Sequence, residues 1–544
     1  MNVVEALAEA LVRLEVDTAF GLVGGGNFAL ATAMAEQGID FRSTRHEAAA
    51  VSAADGWART TRRLGVATTT QGPGLTNTMT SLTEAAKSHT PLLLLAGDTA
   101  RTARDQNQDV DQAAFARAAG AVPATLRSAD TALEDLALAA SRAQRQRVPV
   151  VLSLPLDVQQ TEPAAAVALK PDDPPQRPAP AGEAVGEFCD RLETAARPVV
   201  LAGRGAWNAD AGDDLRAVAA RVGALLTTSA VGHGLFANDA WSLGISGGFA
   251  SPSAATLLAD ADVVLAVGAT MNSWTTRSGQ LYLEAAVLAV DDEPTAIGRH
   301  HRVDGAMVAD AGLAAAALRA ELEQRGTSRT GWRTDATAAA VADPDWPDER
   351  RDVPGVIDPR DAMRALDRLL PAKRIVAIDS GHFMGWPAQH LRVTDPGGFV
   401  FTQAYQSIGL GLGSAIGAAV ARPDRPTVCV TGDGGLAMSL GELETVARLG
   451  LRMVVCVLDD ASYAAEVHHF GPLGLPTKLA EFSEIDFCSV ARGLGFHAVT
   501  VRSVADLEAV ADRIADPSPP LLLDCKVDPG VVAPWLAEAF RLGA

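Results

Sequence analysis

Between residues 427 and 435 the sequence reads TVCVTGDGG, and this stretch decides the fold more than any other. A short apolar run that ends in glycine and aspartate is typical of a strand buried on both faces of a parallel sheet. A helical stretch (Ser439–Leu449) and a second apolar run (Met453–Leu458) follow, and that run leads into Asp459 and Asp460. The order strand, helix, strand predicts a parallel pair with both acidic ends at the carboxyl edge of one sheet, where open α/β sheets bind ligands.

The two acidic strand ends give the first indication of chemistry. Two carboxylates that lie close together need a cation between them, or one of them must be protonated. Asp433 and Asp460 therefore indicate a hard ion with oxygen ligands, Mg²⁺ or Ca²⁺. The glycines around Asp433 would also let a bulky anion approach the backbone. The alternative is two unrelated acidic turns, because a Gly-Asp-Gly sequence alone is common. The pairing with a second strand end favours the metal site.

Apolar runs alternate with alanine-rich helical stretches from one end of the chain to the other. This alternation predicts an α/β protein built from doubly wound parallel sheets. Two proline-rich segments, 163–182 and 343–358, cannot lie in a sheet or in a helix interior and are predicted to be connectors. They divide the chain into three units of similar length, residues 1–162, 183–342 and 355–544. The prolines of the connectors are Pro171, Pro174, Pro175, Pro178, Pro180, Pro344, Pro347 and Pro354.

Composition excludes several classes of partner. The 544 residues carry a formal net charge of −20 with thinly spread cations, which disfavours a nucleic-acid surface. The five cysteines lie far apart without CxxC spacing, so neither disulfides nor a zinc site is predicted. Neither a basic leader followed by an apolar core nor an apolar stretch of membrane-spanning length is visible. We therefore expect a soluble, cytoplasmic protein that binds a small molecule and contacts neither nucleic acid nor membrane.

The acidic segments resemble the thiamine-diphosphate signature of the superfamily that includes acetolactate synthase, pyruvate decarboxylase and benzoylformate decarboxylase. The resemblance implies thiamine diphosphate and Mg²⁺ as cofactors. The implied metal ligands are the side chains of Asp433 and Asp460 and the main-chain carbonyl of Ser462. The chain departs from the family at Asp459-Asp460, where the family has two asparagines, so it adds a negative charge beside the diphosphate. The glycines implied to bind the cofactor in this unit are Gly432, Gly434 and Gly435.

Three segments of the first unit resemble the same family, in the same order along the chain. Residues 20–26 (FGLVGGG) resemble its glycine turn, although Val23 replaces a proline. Residues 45–47 (RHE) resemble a strand end that carries an essential glutamate, and residues 71–77 (QGPGLTN) resemble a Gly-Pro-Gly loop. The first-unit residues that the resemblance implies for cofactor binding are Gly25, Pro73 and Asn77.

Glu47 is the catalytic residue that this resemblance implies. A carboxyl group hydrogen-bonded to the pyrimidine ring of the cofactor shifts it to the imino tautomer, which supplies the base for the thiazolium C2 proton. Taken alone, Glu47 is a favourable first residue for a helix that runs to Arg59. The three matching segments favour catalysis. In the family this glutamate reaches the cofactor across a subunit boundary, which implies a homodimer as the minimum, and a homotetramer is favoured.

Two more segments of the third unit resemble the family. Residues 407–411 (SIGLG) resemble the segment whose apolar residue, here Ile408, wedges between the two rings of the cofactor. Residues 379–383 (DSGHF) resemble the loop that meets the diphosphate, where His382 would donate a hydrogen bond. The alternative for His382 is an ordinary solvated loop histidine.

The middle unit resembles the non-catalytic Rossmann-like domain of the family, through residues 197–205 (RPVVLAGRG) and 266–272 (AVGATMN). Synthases of the family often bind FAD in this domain. The stretch after Gly268 departs from their Gly-Ala-Arg-Phe-Asp-Asp pattern, and a glycine loop alone is equally a plain strand turn. The absence of FAD is therefore favoured.

Departures from the family patterns leave the substrate open. Leu156 stands where synthases have a lysine, and Arg104-Asp105 lie near the place of the paired histidines of pyruvate decarboxylase. Glu466 stands where that enzyme has a glutamate that protonates the product, and His469 is a candidate for the same proton relay; both could instead be solvated helix residues. Gln112 lies near the substrate-binding glutamine of synthases.

The resemblance as a whole implies a thiamine-diphosphate-dependent carboligase or lyase that acts on a 2-oxo acid or related carbonyl compound through a C2 carbanion and an enamine. It is closest overall to acetolactate synthase large subunits, and a 2-oxo acid decarboxylase that is not a synthase is the alternative. A nucleotide-dependent oxidoreductase leaves Asp433 and Asp460 unexplained. A non-enzymatic relative predicts the loss of Glu47 or Asp433, and both are present.

Overall fold

The structure is a computed structural model, and it describes residues 2–103, 105–162, 176–346 and 353–541. Several of the residues named above lie outside this part of the chain. They are Arg104, Pro171, Pro174, Pro175 and Pro347.

The described residues form three six-stranded parallel sheets with helices around them, which confirms the predicted α/β class. The two apolar runs singled out above, within residues 427–435 and at Met453–Leu458, both form strands. The first sheet contains β1 (Thr18–Gly21), β2 (Asp40–Ser43), β3 (Gly65–Thr69), β4 (Leu92–Asp98), β5 (Val122–Thr125) and β6 (Pro149–Pro155). The second contains β7 (Pro198–Ala202), β8 (Leu225–Thr228), β9 (Ser242–Ile245), β10 (Val263–Val267), β11 (Ala286–Asp291) and β12 (Gly305–Val308). The third contains β13 (Ile375–Ile378), β14 (Phe399–Phe401), β15 (Thr427–Gly432), β16 (Met453–Asp459), β17 (His497–Val501) and β18 (Leu521–Lys526).

The strand orders show that the first and third units are structural repeats. The first sheet has the order β2-β1-β3-β4-β6-β5, and the third has the same order, β14-β13-β15-β16-β18-β17. The middle sheet has the order β12-β11-β10-β7-β8-β9, which is the dinucleotide-binding arrangement. The first and third units therefore share one topology, whereas the middle unit has another.

The helices cover both faces of each sheet. The first unit has α1 (Val3–Arg13), α2 (Phe28–Glu36), α3 (Glu47–Thr61), α4 (Pro73–Thr76), α5 (Met79–Lys87), α6 (Gln112–Ala118), α7 (Ala132–Gln146) and α8 (Leu156–Gln159). The middle unit has α9 (Gly182–Thr194), α10 (Arg204–Asn208), α11 (Gly212–Val222), α12 (Pro252–Ala259), α13 (Ser273–Thr276), α14 (Ala311–Gln324) and α15 (Asp335–Ala342). The third unit has α16 (Pro359–Leu369), α17 (Gly385–His390), α18 (Gly411–Ala421), α19 (Asp433–Met438), α20 (Glu442–Arg448), α21 (Ala464–Phe470), α22 (Phe487–Gly493), α23 (Val504–Glu508), α24 (Ala511–Ala515) and α25 (Leu536–Arg541). Short 3₁₀ helices lie at Ala230–Gly232, His382–Met384, Pro396–Gly398, Gly471–Leu473 and Lys478–Ala480.

One predicted helix is shorter in the structure. The stretch Ser439–Leu449 becomes α20, which begins only at Glu442, because Ser439 ends the preceding helix α19 and Gly441 caps α20. Glycine and serine are poor residues for a helix interior, so the break falls there. Among the described helices, none is both long enough and apolar enough to cross a membrane.

Helices α3 and α18 form the seam between the first and third units. The two helices pack so closely that a Cβ added at Gly56 would clash with the main-chain oxygen of Ser414. A Cβ added at Gly417 would likewise clash with the main-chain oxygen of Ala53. Around these two contacts, buried apolar residues of both units form one core, and this core fixes the relative orientation of the two sheets.

Candidate active site

Asp433 and Asp460 follow β15 and β16, which are hydrogen-bonded neighbours in the third sheet. Asp433 is 4% exposed, and its Oδ1 accepts a hydrogen bond from the Gly434 amide at 2.7 Å. Its Oδ2 is buried and has no hydrogen-bond partner among the described residues. Asp460 Oδ1 accepts hydrogen bonds from the amide of Ser462 at 3.1 Å and from its hydroxyl at 3.0 Å. The three residues predicted as metal ligands thus lie at one sheet edge.

The electrostatics of this pair fit a bound cation. Burial raises the pKa of Asp433 to about 8, and the carboxylates of Asp460 and Asp459 add to the rise. Burial also raises the pKa of Asp460 to about 6. A hard cation such as Mg²⁺ would stabilise both carboxylates in their charged form. Within the described residues, no group of three or more His, Cys, Asp or Glu side chains could hold a metal, so an ion at this pair would need further oxygen ligands.

Lys526, which sequence reasoning missed, lies beside Asp459. Its Nζ, at the end of β18, is 2.5 Å from Asp459 Oδ2 and 3.1 Å from Asp524 Oδ2, and all three side chains are buried. The register of β16 and β18 places Asp459 opposite Lys526. The lysine therefore compensates the negative charge that this chain has where the family has an asparagine. The signal in the sequence is a lysine at the end of an apolar run.

The glycines on either side of Asp433 have a packing reason to be glycine. A Cβ added at Gly434 would lie 2.6 Å from the ring of Tyr463, and one added at Gly435 would meet the carboxylate of Asp379. A Cβ at Gly432 would lie 3.1 Å from the ring of Phe383. The side chains of Phe383, Tyr463 and Asp379 thus pack closely against the three glycines and leave little room there for a Cβ atom.

Ile408 lies half-buried in the loop that precedes α18, and Asp379 holds the end of that loop. Asp379 is buried at the end of β13, and its carboxylate accepts hydrogen bonds from the amides of Gly409 at 3.0 Å and Gly411 at 3.1 Å. It also accepts one from the Thr431 hydroxyl at 2.9 Å. Burial raises the pKa of Asp379, and these hydrogen bonds oppose the rise. Asp379 thus ties the Ile408 loop to two strand ends, a role that was not predicted.

His382 is buried rather than solvated, so the solvated alternative is wrong. Its ring centroid lies 4.8 Å from that of His468 and 5.2 Å from that of Trp386. Burial, together with the charge of His468, lowers the pKa of His382 to about 3, so the ring is neutral at physiological pH. Its Nε2 accepts a hydrogen bond from the Ala533 amide at 2.9 Å, which leaves the ring proton on Nδ1.

Two of the site residues predicted in the first unit, Glu47 and Asn77, are hydrogen-bonded to each other. Glu47 is the first residue of α3 and is 7% exposed, and its Oε2 accepts a hydrogen bond from Asn77 Nδ2 at 3.0 Å. Asn77 and Pro73 are themselves exposed on the Gly-Pro-Gly loop. Gly25 is also exposed, and a Cβ added there would meet nothing within 4 Å. The predicted catalytic glutamate is therefore itself largely buried, and it is bonded to a residue of an exposed loop.

Gln112 is buried within the first unit. Its Nε2 donates hydrogen bonds to the main-chain oxygen of Gly97 at 3.0 Å and to the Ser153 hydroxyl at 3.1 Å. Its Oε1 accepts a long hydrogen bond, 3.4 Å, from the Gly72 amide. Gln112 thus braces the Gly-Pro-Gly loop against β4 and β6.

Glu466 and His469 lie on α21, the helix whose His468 packs on the buried His382. The side chain of Glu466 is exposed in the single chain. The ring of His469 stacks on Phe540 of α25, with ring centroids 3.6 Å apart and an interplanar angle of 5°. The C-terminal helix therefore packs on α21 beside the candidate site.

The glycine loops of the middle unit contact each other. The amide of Gly203 donates to the main-chain oxygen of Val267, and the amide of Gly205 donates to that of Gly268, both at 3.0 Å. A Cβ added at Gly205 would lie 2.7 Å from the Cα atom of Gly268. Amides that are already paired with protein oxygens cannot also bind a diphosphate group.

Comparison with known sequence families gives matches in all three units. Residues 1–115 match the thiamine pyrophosphate enzyme N-terminal TPP binding domain, TPP being another name for thiamine diphosphate. Residues 185–318 match the central domain of the same family, and residues 379–525 match its C-terminal TPP binding domain.

Individual relatives cover nearly the whole chain. The acetolactate synthase large subunit of Parasynechococcus marenigrum is 33% identical over 84% of this chain and 75% of its own length. The acetolactate synthase isozyme 2 large subunit of Escherichia coli is 28% identical over 97% of this chain and 96% of its own length. A sulfoacetaldehyde acetyltransferase of Rhodobacter capsulatus is 28% identical over 95% of this chain and 92% of its own length. The chain therefore belongs to the thiamine pyrophosphate enzyme family and is a thiamine-diphosphate-dependent enzyme.

Proposed function

We propose that this chain is a Mg²⁺-dependent carboligase of the acetolactate synthase type, which joins a fragment of a 2-oxo acid to a second carbonyl compound. The observation that carries the proposal is the buried, unpaired Oδ2 of Asp433 beside Asp460, in a chain that matches the family in all three units. The relatives named acetolactate synthase support the reaction type. The relative named sulfoacetaldehyde acetyltransferase supports a choice of carbonyl substrates that extends beyond those of acetolactate synthase.

The third unit would hold the metal and the diphosphate. Asp433, Asp460 and the main-chain carbonyl of Ser462 would bind Mg²⁺, and the buried oxygen that lacks a partner supports this assignment. Thiamine diphosphate, when bound, supplies a nucleophilic carbon for attack on the substrate carbonyl. Lys526 limits the negative charge of the site by pairing with Asp459. We assign diphosphate binding to residues 355–544 and a structural role to residues 183–342.

The first unit, residues 1–162, would bind the pyrimidine ring. Glu47 would bond to the ring nitrogen, and Asn77 orients its carboxylate through the hydrogen bond to Oε2. Because Asn77 and Pro73 are exposed, a second copy of the chain can bring its own third unit to this surface. A homodimer is then the minimal active form, and we expect a homotetramer. The five free cysteines are buried, which supports the reducing cytoplasm as the location.

Two residues of the third unit would set the geometry of the cofactor. His382 would donate a hydrogen bond from Nδ1 to the diphosphate, because its Nε2 already accepts one from the Ala533 amide. Ile408 would pack between the two rings, in a loop that Asp379 holds in place. Gln112 would support the Gly-Pro-Gly loop rather than contact the reacting atoms.

Two measurements test the proposed function. Acid extraction of the purified protein, followed by thiochrome fluorescence, is expected to yield thiamine. A screen of 2-oxo acids, with and without an added aldehyde or second 2-oxo acid, is expected to give CO₂ release and an acyloin-type product. Protein that binds thiamine diphosphate and Mg²⁺ yet releases CO₂ without any ligated product would favour the decarboxylase instead.

The decarboxylase is the second candidate because α21 carries both Glu466 and His468, and the ring of His468 lies 4.8 Å from that of His382. If Glu466 protonates the product, Glu466→Gln is expected to slow aldehyde release by about 10²–10⁴-fold. Acyloin formation should fall less, since ligation needs no proton at that carbon. The measurement is the ratio of aldehyde to acyloin, with the exposed Glu481→Gln as the matched control. A ratio equal to that of the parent protein would mean that Glu466 does not deliver this proton.

The paired amides of the middle glycine loops lead to a prediction about flavin. We expect purified protein to show no absorbance at the visible bands of FAD. Activity should be the same with and without added FAD, because the Gly203 and Gly205 amides are bonded to the protein. A yellow protein that loses activity when the flavin is removed would contradict this prediction.

A further inference from the structure

The loop that carries Ile408 is held at both ends by carboxylates, and the two carboxylates belong to different units. Asp379 of the third unit binds the amides on its C-terminal side. Glu84, on α5 of the first unit, binds its N-terminal side: Oε2 accepts from the Tyr405 amide at 2.6 Å, and Oε1 accepts from the Ala404 amide at 3.2 Å. Ile408 lies between these two attachments.

Glu84 is itself firmly placed. It is 1% exposed, and its Oε1 accepts hydrogen bonds from Arg59 Nη2 at 2.9 Å and from the Ser88 hydroxyl at 3.1 Å. Arg59 also pairs with Asp55 at 2.7 Å, so two buried acids surround one buried guanidinium. A buried charge with several hydrogen bonds has few alternative positions, which makes this cluster a rigid support.

Arg59 adds a second attachment to the same loop. Its Nη1 donates to the main-chain oxygen of Phe401 at 2.9 Å, at the end of β14. Arg204 of the middle unit extends the cluster by donating to the main-chain oxygen of Ser88. Residues 401–405 are therefore bound by side chains of the first unit, which the middle unit contacts in turn.

We propose that Glu84, through Arg59 and the amides of Ala404 and Tyr405, is a positioning residue that sets where Ile408 meets the cofactor. This inference rests on the proposed role of Ile408. Without the carboxylate, the amides of Ala404 and Tyr405 lose their hydrogen-bond acceptors in the first unit. Ile408 then has a wider range of positions, and the reactive conformer of the cofactor is held less well.

The test uses Glu84→Gln in the full-length protein. Glutamine keeps the size but loses the charge that pairs with Arg59, and its amide nitrogen cannot accept from a main-chain amide. In protein without added cofactor, hydrogen–deuterium exchange of the Ala404 and Tyr405 amides is expected to rise by about tenfold. With thiamine diphosphate and Mg²⁺ bound, exchange of the cofactor C2 proton should slow by up to about 10²-fold, with cofactor affinity close to that of the parent.

Asp367→Asn is the matched control. Asp367 is also a largely buried carboxylate that pairs with an arginine, Arg374, and accepts a main-chain amide hydrogen bond, that of Arg392 at 3.0 Å. Asp367 supports a different segment, so Asp367→Asn should leave the hydrogen–deuterium exchange of the Ala404 and Tyr405 amides unchanged. If Glu84→Gln lowers the unfolding temperature too far, Glu84→Asp keeps the charge at a shorter reach and should show a smaller effect in the same direction.

A double-mutant cycle with Ile408→Ala separates this inference from the proposed function. If Glu84 acts by setting the position of the Ile408 side chain, the effects of the two substitutions on C2 proton exchange are expected to be clearly less than additive. Unchanged amide exchange at residues 404–405, a parental C2 exchange rate, or strict additivity would each overturn the positioning role of Glu84. A parental C2 exchange rate in Ile408→Ala alone would instead refute the proposed role of Ile408, and the Glu84 inference with it.

Discussion

Asp433→Ala is expected to abolish retention of thiamine diphosphate at micromolar concentration. The substitution removes a buried carboxylate whose Oδ2 has no hydrogen-bond partner in the described residues and is free for a metal ion. Loss of the ion that joins the diphosphate to the protein should weaken cofactor binding by at least about 100-fold. Tryptophan fluorescence can report the binding, because Trp386 packs on His382 and on Trp535 near the candidate site.

The control for this prediction is Asp424→Ala, which removes the same charge from the turn before β15, at the opposite end of the strand. Its cofactor affinity should equal that of the parent protein. If Asp433→Ala binds thiamine diphosphate and Mg²⁺ as tightly as this control does, the acidic strand ends do not form the metal site.

Glu47→Gln is expected to bind the cofactor nearly normally and to lose most of its catalytic rate. Glutamine has the same shape and its Oε1 can still accept the hydrogen bond from Asn77, so the loop should keep its place. The side chain can no longer shift the pyrimidine to the imino tautomer, which should slow C2 proton exchange by about 10²–10⁴-fold. The exchange rate is measured by deuterium incorporation into the bound cofactor.

Glu36→Gln, at the end of α2 on the surface of the same unit, is the control and should exchange at the parental rate. If Glu47→Gln also exchanges the C2 proton at the parental rate, Glu47 serves only as a favourable first residue of α3.

Much of the fold was predictable because the relevant signals are local. Strands such as β15 and β16 are short apolar runs that end in Gly or Asp, and parallel pairing places their ends at one edge. The approach of Asp433 to Asp460 followed from that rule without any knowledge of the tertiary structure.

The contacts of Lys526 and Glu84 were not predictable because they depend on register and tertiary packing. Lys526 meets Asp459 only because β18 is paired with β16, although other elements lie between them in the chain. Glu84 binds the amides of Ala404 and Tyr405 across more than 300 residues of sequence. No periodicity or motif carries the information that these groups will be neighbours.

His382 shows the limit of arguments from residue type. A histidine in a loop is usually solvated, and nothing in residues 379–383 indicates burial. The C-terminal segment covers it: the Ala533 amide bonds its Nε2, and the indole nitrogen of Trp535 bonds its main-chain oxygen at 3.0 Å. The cover comes from a segment about 150 residues away, so its tautomer could be assigned only from the structure.

The α3–α18 seam has a consequence for recombination between relatives. Gly56 faces the backbone of Ser414, and Gly417 faces the backbone of Ala53, so neither helix tolerates a side chain at its contact point. A chimera that takes the first unit from one parent and the third from another brings together two helices that were not selected for each other. Crossovers are therefore expected to give folded protein when α3 and α18 come from the same parent. The first and third units, which carry the proposed catalytic residues, should then be exchanged together.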